Sequence, residues 1–472
     1  MRFLIFVTVA VLFACSTNEQ NCTCESNFEW VKKTFEENDA GFQYIIDKKG
    51  QAAYDIHNQL TLKKVKEAKT LTECTGLLYE WLKFFRSGHI GIQLLREQNA
   101  QQTTNEIVSE TLKMDISEFE KFISTKQETD YEGIWEAVGG DYKIGIKKEG
   151  VNYVGFIIES GVDTWKPYMV KLKIEQFDDK LKSTFYSRDH LPVESGEPEL
   201  IGKKYLQIGQ VFLKRLSPVF PDDEPFFENY YKSMYSQNPF MEELNANTLY
   251  FRIPSFWHTQ QKGIDSILTA NRNKILKTEN LIIDLRNNGG GSDGTYTNLK
   301  EFLYTNPVRM VSLEYLSTPL NNQRFLEFAN SSIDSWYKET YEKMQGKLGE
   351  FVNPFDKDII IYERNRVHKY PKNVGILINE GCASATEQFL FETKQSKKVK
   401  LFGVSTMGAS DISNMYSVES PCKEFKLWYC VSRSLRIPGM TIDDIGLQPD
   451  FYLDKSIPQY KWVEFVDEIL SK

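Results

Sequence analysis

The sequence predicts an α/β protein in which a largely parallel sheet with crossover helices forms the C-terminal core. A helical N-terminal region and a small antiparallel β-module precede this core. Three patterns carry the prediction: helical spacing of apolar residues over 25–125, short alternating strands over 131–216, and apolar strands alternating with helical segments over 245–472. Because strand–helix–strand repeats in one sheet make right-handed crossovers, the last pattern indicates parallel strands.

The composition is that of a globular chain with several cores. The 472 residues are 41% hydrophobic and 13% aromatic, enough to fill two or three hydrophobic cores. The formal net charge of −8 is spread along the chain and leaves no basic surface for nucleic acid. A nucleic-acid partner is therefore not expected.

Residues 1–14 predict a signal peptide. The apolar stretch from Phe3 to Ala14 is shorter than the ~20 residues of a membrane span and suits the apolar region of an export signal. Leu12 to Cys15 resembles a bacterial lipobox, which makes Cys15 the lipidated first residue of a lipoprotein in the outer membrane or periplasm. An ordinary signal peptide cut nearby is the alternative, and in both cases the chain is exported.

The helical region contains one histidine at a junction. Helical spacing stops at Ser87 and Gly88, strand-like alternation follows, and His89 points away from the apolar face of that alternation. The apolar residues that define the helix and the strand are Leu77, Leu78, Trp81, Leu82, Phe85, Ile90, Ile92 and Leu94. A histidine at a helix end is usually structural, so the position alone assigns no role.

Export permits disulfides among the six cysteines that remain after Cys15. Cys422 and Cys430 have a spacing that could close a hairpin, and Cys74 could pair with Cys22 or Cys24. Cys382 is expected to be free. Spacing alone does not decide the pairing.

Ser384 lies between an apolar strand, residues 374–378, and a helix-like run that begins at Gln388. A serine at a strand-to-helix turn exposes its hydroxyl at the positive end of a helix dipole, as an acyl-transfer nucleophile requires. Ser384 to Glu387 also fits the capping box Ser-x-x-Glu, in which the serine only satisfies a backbone N–H. Both interpretations are open on this segment.

A glycine-rich loop follows the apolar strand of residues 280–286. Its three consecutive glycines, 289–291, leave backbone N–H groups uncovered that could converge on an oxyanion or a phosphate. A phosphate-binding P-loop would continue with Gly-Lys-Ser/Thr, whereas Ser292 and Asp293 follow here. The loop therefore favours an oxyanion.

Four segments together resemble the C-terminal processing, or tail-specific, family of serine peptidases. They are Asp284 to Gly291, Ser384 to Glu387, Leu401 to Gly408, and Ile445 to Asp450, which match the family's Asp-Leu-Arg-x-Asn-x-Gly-Gly, Ser-Ala-Ser/Thr-Glu, Gly-x-x-Thr-x-Gly and Gly-x-x-Pro-Asp motifs. The resemblance covers roughly residues 245–472. It implies a serine peptidase that hydrolyses peptide bonds in a peptide or protein substrate, and the predicted signal peptide implies that this peptidase is exported.

One departure indicates the branch of the family. Members with a Ser-Lys dyad carry the lysine where this chain has Ala409. The resemblance therefore points to the histidine-using branch related to the tricorn core protease. The segment Phe84 to His89 looks like that branch's Asp-Gly-His element, with Ser87 in place of the acid.

This resemblance implies the catalytic roles. His89 takes the proton of Ser384, so its Nε2 should come within hydrogen-bond reach of the Ser384 Oγ. Asp443 is the acid that orients His89, and the adjacent Asp444 is its alternative. His258 is the reserve base.

The oxyanion hole implied by the resemblance consists of backbone groups. The N–H of Ala385 is one donor, and the N–H of Gly289 or of Gly290 is the second. The histidines lack metal-site spacing and the cysteines lack a zinc pattern, so neither a metal nor another cofactor is expected.

Two other functions are compatible with the same residues. One is a noncatalytic lipoprotein that binds a ligand or a protein on a peptidase scaffold, with the β-module holding the ligand. The other is a serine esterase that uses the same catalytic residues.

Overall fold

The computed structural model of the protein describes residues 22–95, 110–188, 190, 192–209, 211–221, 224–331 and 335–472. The predicted signal peptide, residues 1–14, and the predicted lipidation site, Cys15, lie outside these ranges. Within them, no helix has both the length and the apolar character that crossing a bilayer requires.

Most of the α-helices lie in two parts of the chain, residues 24–82 and residues 261–470. The α-helices are α1 (Cys24–Asn38), α2 (Phe42–Lys49), α3 (Gln51–Glu67), α4 (Leu71–Leu82), α5 (Ile116–Ser124), α6 (Pro225–Tyr235), α7 (Gln261–Ala270), α8 (Arg272–Ile275), α9 (Lys300–Leu303), α10 (Pro319–Ser331), α11 (Ser335–Gln345), α12 (Ala385–Thr393) and α13 (Trp462–Leu470). Short 3-10 helices span His258–Gln260, Asp293–Tyr296 and Gln459–Lys461.

The strands lie between and around these helices in the described part of the chain. They are β1 (Gly91–Leu94), β2 (Gly133–Ala137), β3 (Tyr142–Glu149), β4 (Asn152–Ser160), β5 (Val170–Phe177), β6 (Lys180–Tyr186), β7 (Pro192–Ser195), β8 (Glu199–Ile201), β9 (Tyr205–Ile208), β10 (Val211–Ser217), β11 (Phe240–Asn245), β12 (Thr248–Arg252), β13 (Asn280–Asp284), β14 (Val308–Val311), β15 (Leu313–Leu316), β16 (Phe351–Val352), β17 (Ile359–Tyr362), β18 (Asn373–Ile378), β19 (Val399–Gly403), β20 (Ile412–Glu419), β21 (Phe425–Ser434) and β22 (Phe451–Tyr452).

The chain forms two compact units that are discontinuous in sequence. Unit 1 comprises the described residues of Met1–Gln98 together with Ser312–Asp358 and Asp411–Met440. Unit 2 comprises those of Asn99–Val311 together with Ile359–Ser410 and Thr441–Lys472. The predicted core of residues 245–472 therefore contributes to both units.

Unit 1 packs helices α1 to α4 against a five-stranded sheet. The strand order is β1–β21–β15–β16, with β20 also paired to β21, and these pairs are antiparallel. The Thr23 side chain caps α1, and the apolar face of α1 joins a core shared with α4 and β21. Its largest members include Phe28, Phe35, Trp81, Phe85, Phe425 and Tyr429. Burial of alternate residues of β21 fixes its register against these helices.

Unit 2 is built around a six-stranded sheet of order β11–β12–β13–β18–β19–β22. Strand β11 is antiparallel to β12, and the four following pairs are parallel. Alternate residues of these strands face opposite cores: Ile283 and Ile376 contribute to the core containing α7 and α12, whereas Ile282 and Leu377 contribute to the core containing α13. The strands are accordingly apolar on both faces.

The antiparallel β-module is also part of unit 2. Strands β2 to β10 form a nine-stranded antiparallel sheet of order β7–β6–β5–β4–β3–β2–β10–β9–β8. The content of the fold is thus mixed α/β, with antiparallel pairs predominating among the described strands. The parallel strand pairs all lie in the six-stranded sheet.

The disulfides correct one prediction. Cys22 pairs with Cys422 and Cys24 pairs with Cys74, while Cys382 and Cys430 are buried and form no disulfide with another described cysteine. The predicted pair of Cys422 with Cys430 is wrong. Cys422 lies in the turn before β21 and Cys430 lies well inside that strand, so a rise of about 3.3 Å per residue separates them beyond disulfide reach.

Candidate active site

Ser384 is held in an unusual backbone conformation at the start of a helix. It follows β18, precedes α12, and has φ 57° and ψ −122° as the N-cap residue. A residue with a side chain rarely adopts positive φ, and such strain persists only where the surrounding contacts impose it. The side chain is half-buried, and the partial positive charge of the α12 N-terminus lies beside it.

Ser384 and Glu387 also stand in the arrangement of a capping box. The Glu387 carboxylate accepts the Ser384 N–H at 3.1 Å. The Ser384 hydroxyl occupies the capping position toward the N–H of Glu387 without making a hydrogen bond of normal geometry. The two interpretations of this serine are therefore compatible, since the backbone is capped while the hydroxyl is not consumed by the cap.

Glu387 is a buried carboxylate that joins two turns. Besides the Ser384 N–H, it accepts the Thr406 hydroxyl at 2.5 Å and the N–H groups of Gly408 and Ala409 at 2.8 and 2.9 Å. Burial raises the pKa of Glu387, and these four donors act in the opposite direction because they favour the carboxylate. The position that would hold a dyad lysine, Ala409, thus serves here as a backbone donor.

The glycine loop lies directly against the Ser384 turn. Gly290 has φ 97°, and a Cβ atom on it would lie 2.6 Å from the Ala383 carbonyl oxygen and 2.9 Å from the Ser384 Cβ. Only glycine permits this approach. The Asn288 side chain fixes the loop, since its Oδ1 accepts the Gly290 N–H at 3.0 Å and the Thr386 hydroxyl at 2.8 Å.

This arrangement distinguishes the two candidate oxyanion donors of the loop. The N–H of Gly290 is engaged by Asn288. Gly289 is exposed, and within the described residues its N–H donates no hydrogen bond, as is also true of the Ala385 N–H. The geometry therefore favours Gly289 over Gly290 as the partner of Ala385.

A buried ionic cluster supports the start of the glycine loop. Asp284, the last residue of β13, accepts hydrogen bonds from Arg286 and from the Tyr250 hydroxyl, and Arg252 lies 3.5 Å from it. Burial alone would raise the pKa of Asp284, but the two arginines and these hydrogen bonds hold it at about 2. The Asp-Leu-Arg motif thus supplies an internal ion pair that fixes where the loop leaves the sheet.

His89 is fixed within unit 1. It has φ 55°, and its Nδ1 lies 2.8 Å from the carbonyl oxygen of Ile412. Because a carbonyl only accepts, Nδ1 carries the proton and Nε2 carries the lone pair of the neutral ring. Burial lowers the pKa of His89 below its usual 6.5; the Ile412 hydrogen bond opposes this shift and the charge of Arg86 adds to it. The ring is therefore held neutral, with Nε2 as its basic atom.

Asp443 and Asp444 differ in their surroundings. Asp443 is half-buried, and its Oδ1 accepts the N–H of Ser410 at 2.8 Å. Asp444 is exposed and has φ 64°. The sequence assigned an aspartate to fix the tautomer of His89. The backbone carbonyl of Ile412 does this instead, because it accepts the Nδ1–H.

Comparison with known proteins identifies the family. Residues 247–453, which contain the glycine loop, Ser384 and the aspartate pair, match peptidase family S41. This segment, a little under half of the chain, carries a peptidase family S41 domain, and the protein is a serine-type peptidase. Among curated proteins, no sequence matches the chain.

Solved structures show the same fold over nearly the whole chain. Mature CPAF complexed with lactacystin is similar to this protein with a TM-score of 0.54 and 14% identity, covering 95% of this chain and 97% of that chain. Another structure of mature CPAF gives a TM-score of 0.53 and 13% identity, covering 95% of this chain and 96% of that chain. These identities establish the fold of an S41 peptidase with mixed α/β content and carry no information on substrate.

The other histidines of this S41 peptidase have structural or exposed settings. His57 binds the Trp81 carbonyl oxygen at 3.1 Å, His190 stacks on Trp165, and His368 binds Glu301 at 2.8 Å. His258, the reserve base, is exposed at the start of a 3-10 helix. Among the described residues, no cluster of three or more His, Cys, Asp or Glu could hold a metal ion.

Cys382 is a poor rival to Ser384 as nucleophile. Its Sγ is fully buried and lies 3.0 Å from the Leu285 carbonyl oxygen. Burial raises the pKa of the Cys382 thiol to about 12, so the reactive thiolate is not formed at neutral pH.

Sequence reasoning missed two supports of the site. Asn288 lies inside the glycine motif and could have been noticed there as a side chain able to bind loop N–H groups. Ile412 acts through its backbone carbonyl oxygen. Every residue has such a carbonyl, and only the fold places this one beside His89, so no sequence signal could have identified it.

Proposed function

We propose that this S41 peptidase hydrolyses peptide bonds of peptide or protein substrates through an acyl-enzyme formed on Ser384. The observation that carries the proposal is the strained N-cap geometry of Ser384, with Gly290 packed against its Cβ and a hydroxyl that donates no hydrogen bond among the described residues. A serine that only capped its helix would need neither the positive φ nor the glycine contact.

The proposed first step begins with proton transfer. His89 Nε2 takes the Ser384 hydroxyl proton, and the Ser384 oxygen attacks the carbonyl carbon of the scissile peptide. The Nδ1–H bond to Ile412 supports this role, since it leaves the lone pair on Nε2. The imidazolium then protonates the leaving amine, and water releases the acyl group by the reverse sequence.

The negative oxygen of the tetrahedral intermediate is assigned to backbone donors. We propose the N–H groups of Ala385 and Gly289, because both lack another acceptor among the described residues. The loss of one such donor typically costs about 2.7–4 kcal/mol of transition-state stabilisation. The asparagine-held glycine loop is thus as important to the reaction as the side chains.

We propose Asp443 rather than Asp444 as the carboxylate that supports the reaction, by holding the turn at Ser410 and not by binding His89 Nδ1, which the Ile412 carbonyl occupies. The half-buried carboxylate of Asp443 holds the Ser410 N–H, next to the turn that Glu387 holds through Ala409. Replacing Asp443 with alanine should therefore impair the reaction more than replacing the exposed Asp444 with alanine. Equal rates for the two variants would remove Asp443 from the mechanism.

Export and lipid attachment at Cys15 are proposed from the sequence of residues 1–15, with the outer membrane or periplasm as the location. The two disulfides agree with this proposal, because disulfides persist in oxidising compartments. Metabolic labelling with a radioactive fatty acid should mark the wild-type chain and leave Cys15→Ser unmarked. Labelling of both chains would place the lipid elsewhere.

The deciding experiment for the reaction uses a fluorophosphonate, which reacts with activated serines. We expect labelling at Ser384, loss of labelling in Ser384→Ala and His89→Ala, and retention in Ser405→Ala and His258→Ala. Ser405 is a matched control, since it lies in the same unit and binds the Gln448 side chain. Absence of labelling in the wild type would favour the noncatalytic binding protein. Casein cleavage compared with hydrolysis of a short ester then separates peptidase from esterase.

A further inference from the structure

Arg86, three residues before His89, forms a buried ion pair with Asp39. Arg86 Nη1 and Nη2 donate to the two carboxylate oxygens of Asp39 at 2.8 and 2.6 Å, and the side chains are 3% and 0% exposed. The parallel arrangement is the bidentate fork of a strong charge-assisted pair. Taking both charges out of water is costly, so the pair is weak evidence for a purely stabilising role.

The same guanidinium reaches the backbone of His89. Arg86 Nη2 donates to the His89 carbonyl oxygen at 3.0 Å, and the Cys430 thiol donates to that oxygen at 3.3 Å. Asp39 completes the connection, since its Oδ2 accepts the Cys430 N–H at 3.0 Å. Two donors thus fix the peptide plane of a residue whose φ is 55°.

The ion pair is also packed against the group that binds the imidazole. Asp39 Oδ1 accepts the Gly41 N–H at 2.9 Å. A Cβ on Gly41 would lie 2.9 Å from the Ile412 side chain and 3.1 Å from Arg86 Nη1. Ile412, whose carbonyl holds Nδ1 of His89, and Arg86, which holds the His89 carbonyl, therefore meet at one glycine.

We propose that Arg86 and Asp39 are positioning residues for His89, fixing the backbone of the base so that its Nε2 is presented in one orientation. The inference rests on the proposed function, because His89 needs a fixed orientation only if it is the base. A misplacement of about 1 Å in a catalytic group can cost about 100-fold in rate, which is the effect such positioning prevents.

The test measures the second-order rate of fluorophosphonate labelling of Ser384 against pH in the full chain. Arg86→Met removes the donor and the charge, Asp39→Asn removes the counter-charge, and Arg86→Lys keeps a charge without the fork. We expect the plateau rate to fall by about 10- to 100-fold in Arg86→Met and Asp39→Asn, and less in Arg86→Lys. Arg215→Lys, which alters a buried guanidinium bound to carbonyls in the β-module, should keep the wild-type rate.

The pH profile separates positioning from general destabilisation. The charge of Arg86 contributes to the lowered pKa of His89. Removing it in Arg86→Met should move the acid limb of the profile to higher pH, whereas Asp39→Asn should not move it upward. A structural defect alone would reduce the fraction of protein that is labelled. It would not move the acid limb of the pH profile in Arg86→Met while leaving it in place in Asp39→Asn.

The double variant Arg86→Met with Asp39→Asn keeps the test decisive if a single variant fails to fold, because it leaves no unpaired buried charge. We expect it to fold and to show the reduced plateau rate. A wild-type rate in the double variant, or unchanged profiles in the single variants, would overturn this inference while leaving Ser384 labelling intact. Failure of the wild type to label would instead overturn the proposed function and this inference with it.

Discussion

The carboxylate of Glu387 accepts the backbone N–H of Ser384 at 3.1 Å. The same carboxylate accepts the N–H groups of Gly408 and Ala409 at 2.8 and 2.9 Å, and this connects the serine turn to the segment that contains Ala409. Glu387 therefore connects the turn at Ser384 with the turn at Gly408 and Ala409, and it also caps the N-terminus of α12. We call this connection the bracket role of Glu387.

Substituting Glu387 with glutamine should impair both the fold and the reaction. The amide replaces one acceptor oxygen with an NH₂ group, which faces N–H donors and leaves at least one of them unsatisfied. Each buried unsatisfied group costs about 1–3 kcal/mol, so the free energy of unfolding should fall by at least that amount and labelling of Ser384 by about 10-fold or more. Glu392→Gln is the matched control on the same helix, since Glu392 pairs with Lys300 away from Ser384. Wild-type labelling of the Glu387 variant would contradict the bracket role.

Gly290→Ala should remove activity through geometry. The added Cβ would lie 2.6 Å from the Ala383 carbonyl oxygen at a backbone φ of 97°, so the loop must move away from Ser384. We expect the free energy of unfolding to fall by about 1–3 kcal/mol and fluorophosphonate labelling to be lost. Gly294→Ala in the same loop meets only the Ser292 hydroxyl, at 3.6 Å, and should fold and label normally. Retained labelling in Gly290→Ala would show that the loop tolerates displacement.

The pH dependence of labelling should reflect a histidine with a lowered pKa. His89 acts as a base only when neutral, so labelling should exceed half of its plateau rate at pH 6.5 and decline at lower pH. Stability follows the same sign: the unfolded chain binds the proton more readily, so the contribution of His89 is complete above pH 6.5 and is lost as the pH falls through its folded value. A labelling profile with its midpoint above pH 6.5 would contradict the buried, carbonyl-bound ring.

The cysteine pairing can be checked by mass mapping and by substitution. Cys422→Ser should expose a reactive thiol at Cys22 and lower the free energy of unfolding by about 2–4 kcal/mol, as expected for a disulfide. Cys430→Ser should expose no thiol, since Cys430 is buried in β21 and forms no disulfide with another described cysteine. Peptide maps that link Cys422 with Cys430 would refute the observed pairing.

Local patterns predicted part of this protein and long-range pairing decided the rest. The turn at Ser384 and the glycine loop follow from strand and helix signals on either side, which depend on neighbouring residues. The partner of Cys422 is 400 positions away, and the acceptor for His89 is 323 positions away, so neither leaves a trace in local spacing. For the same reason the predicted core of residues 245–472 does not show that β20 and β21 belong to unit 1.

The hydrogen bond between His89 and Ile412 joins two residues that are synthesised at different times. At a synthesis rate of about 5–20 residues per second, the carbonyl that orients the imidazole emerges roughly 16–65 s after the ring itself, given the 323 positions between them. A nascent polypeptide thus contains the histidine without the strand that aligns it. If His89 is the base, the hydrolase becomes competent only when nearly all of its chain has been made.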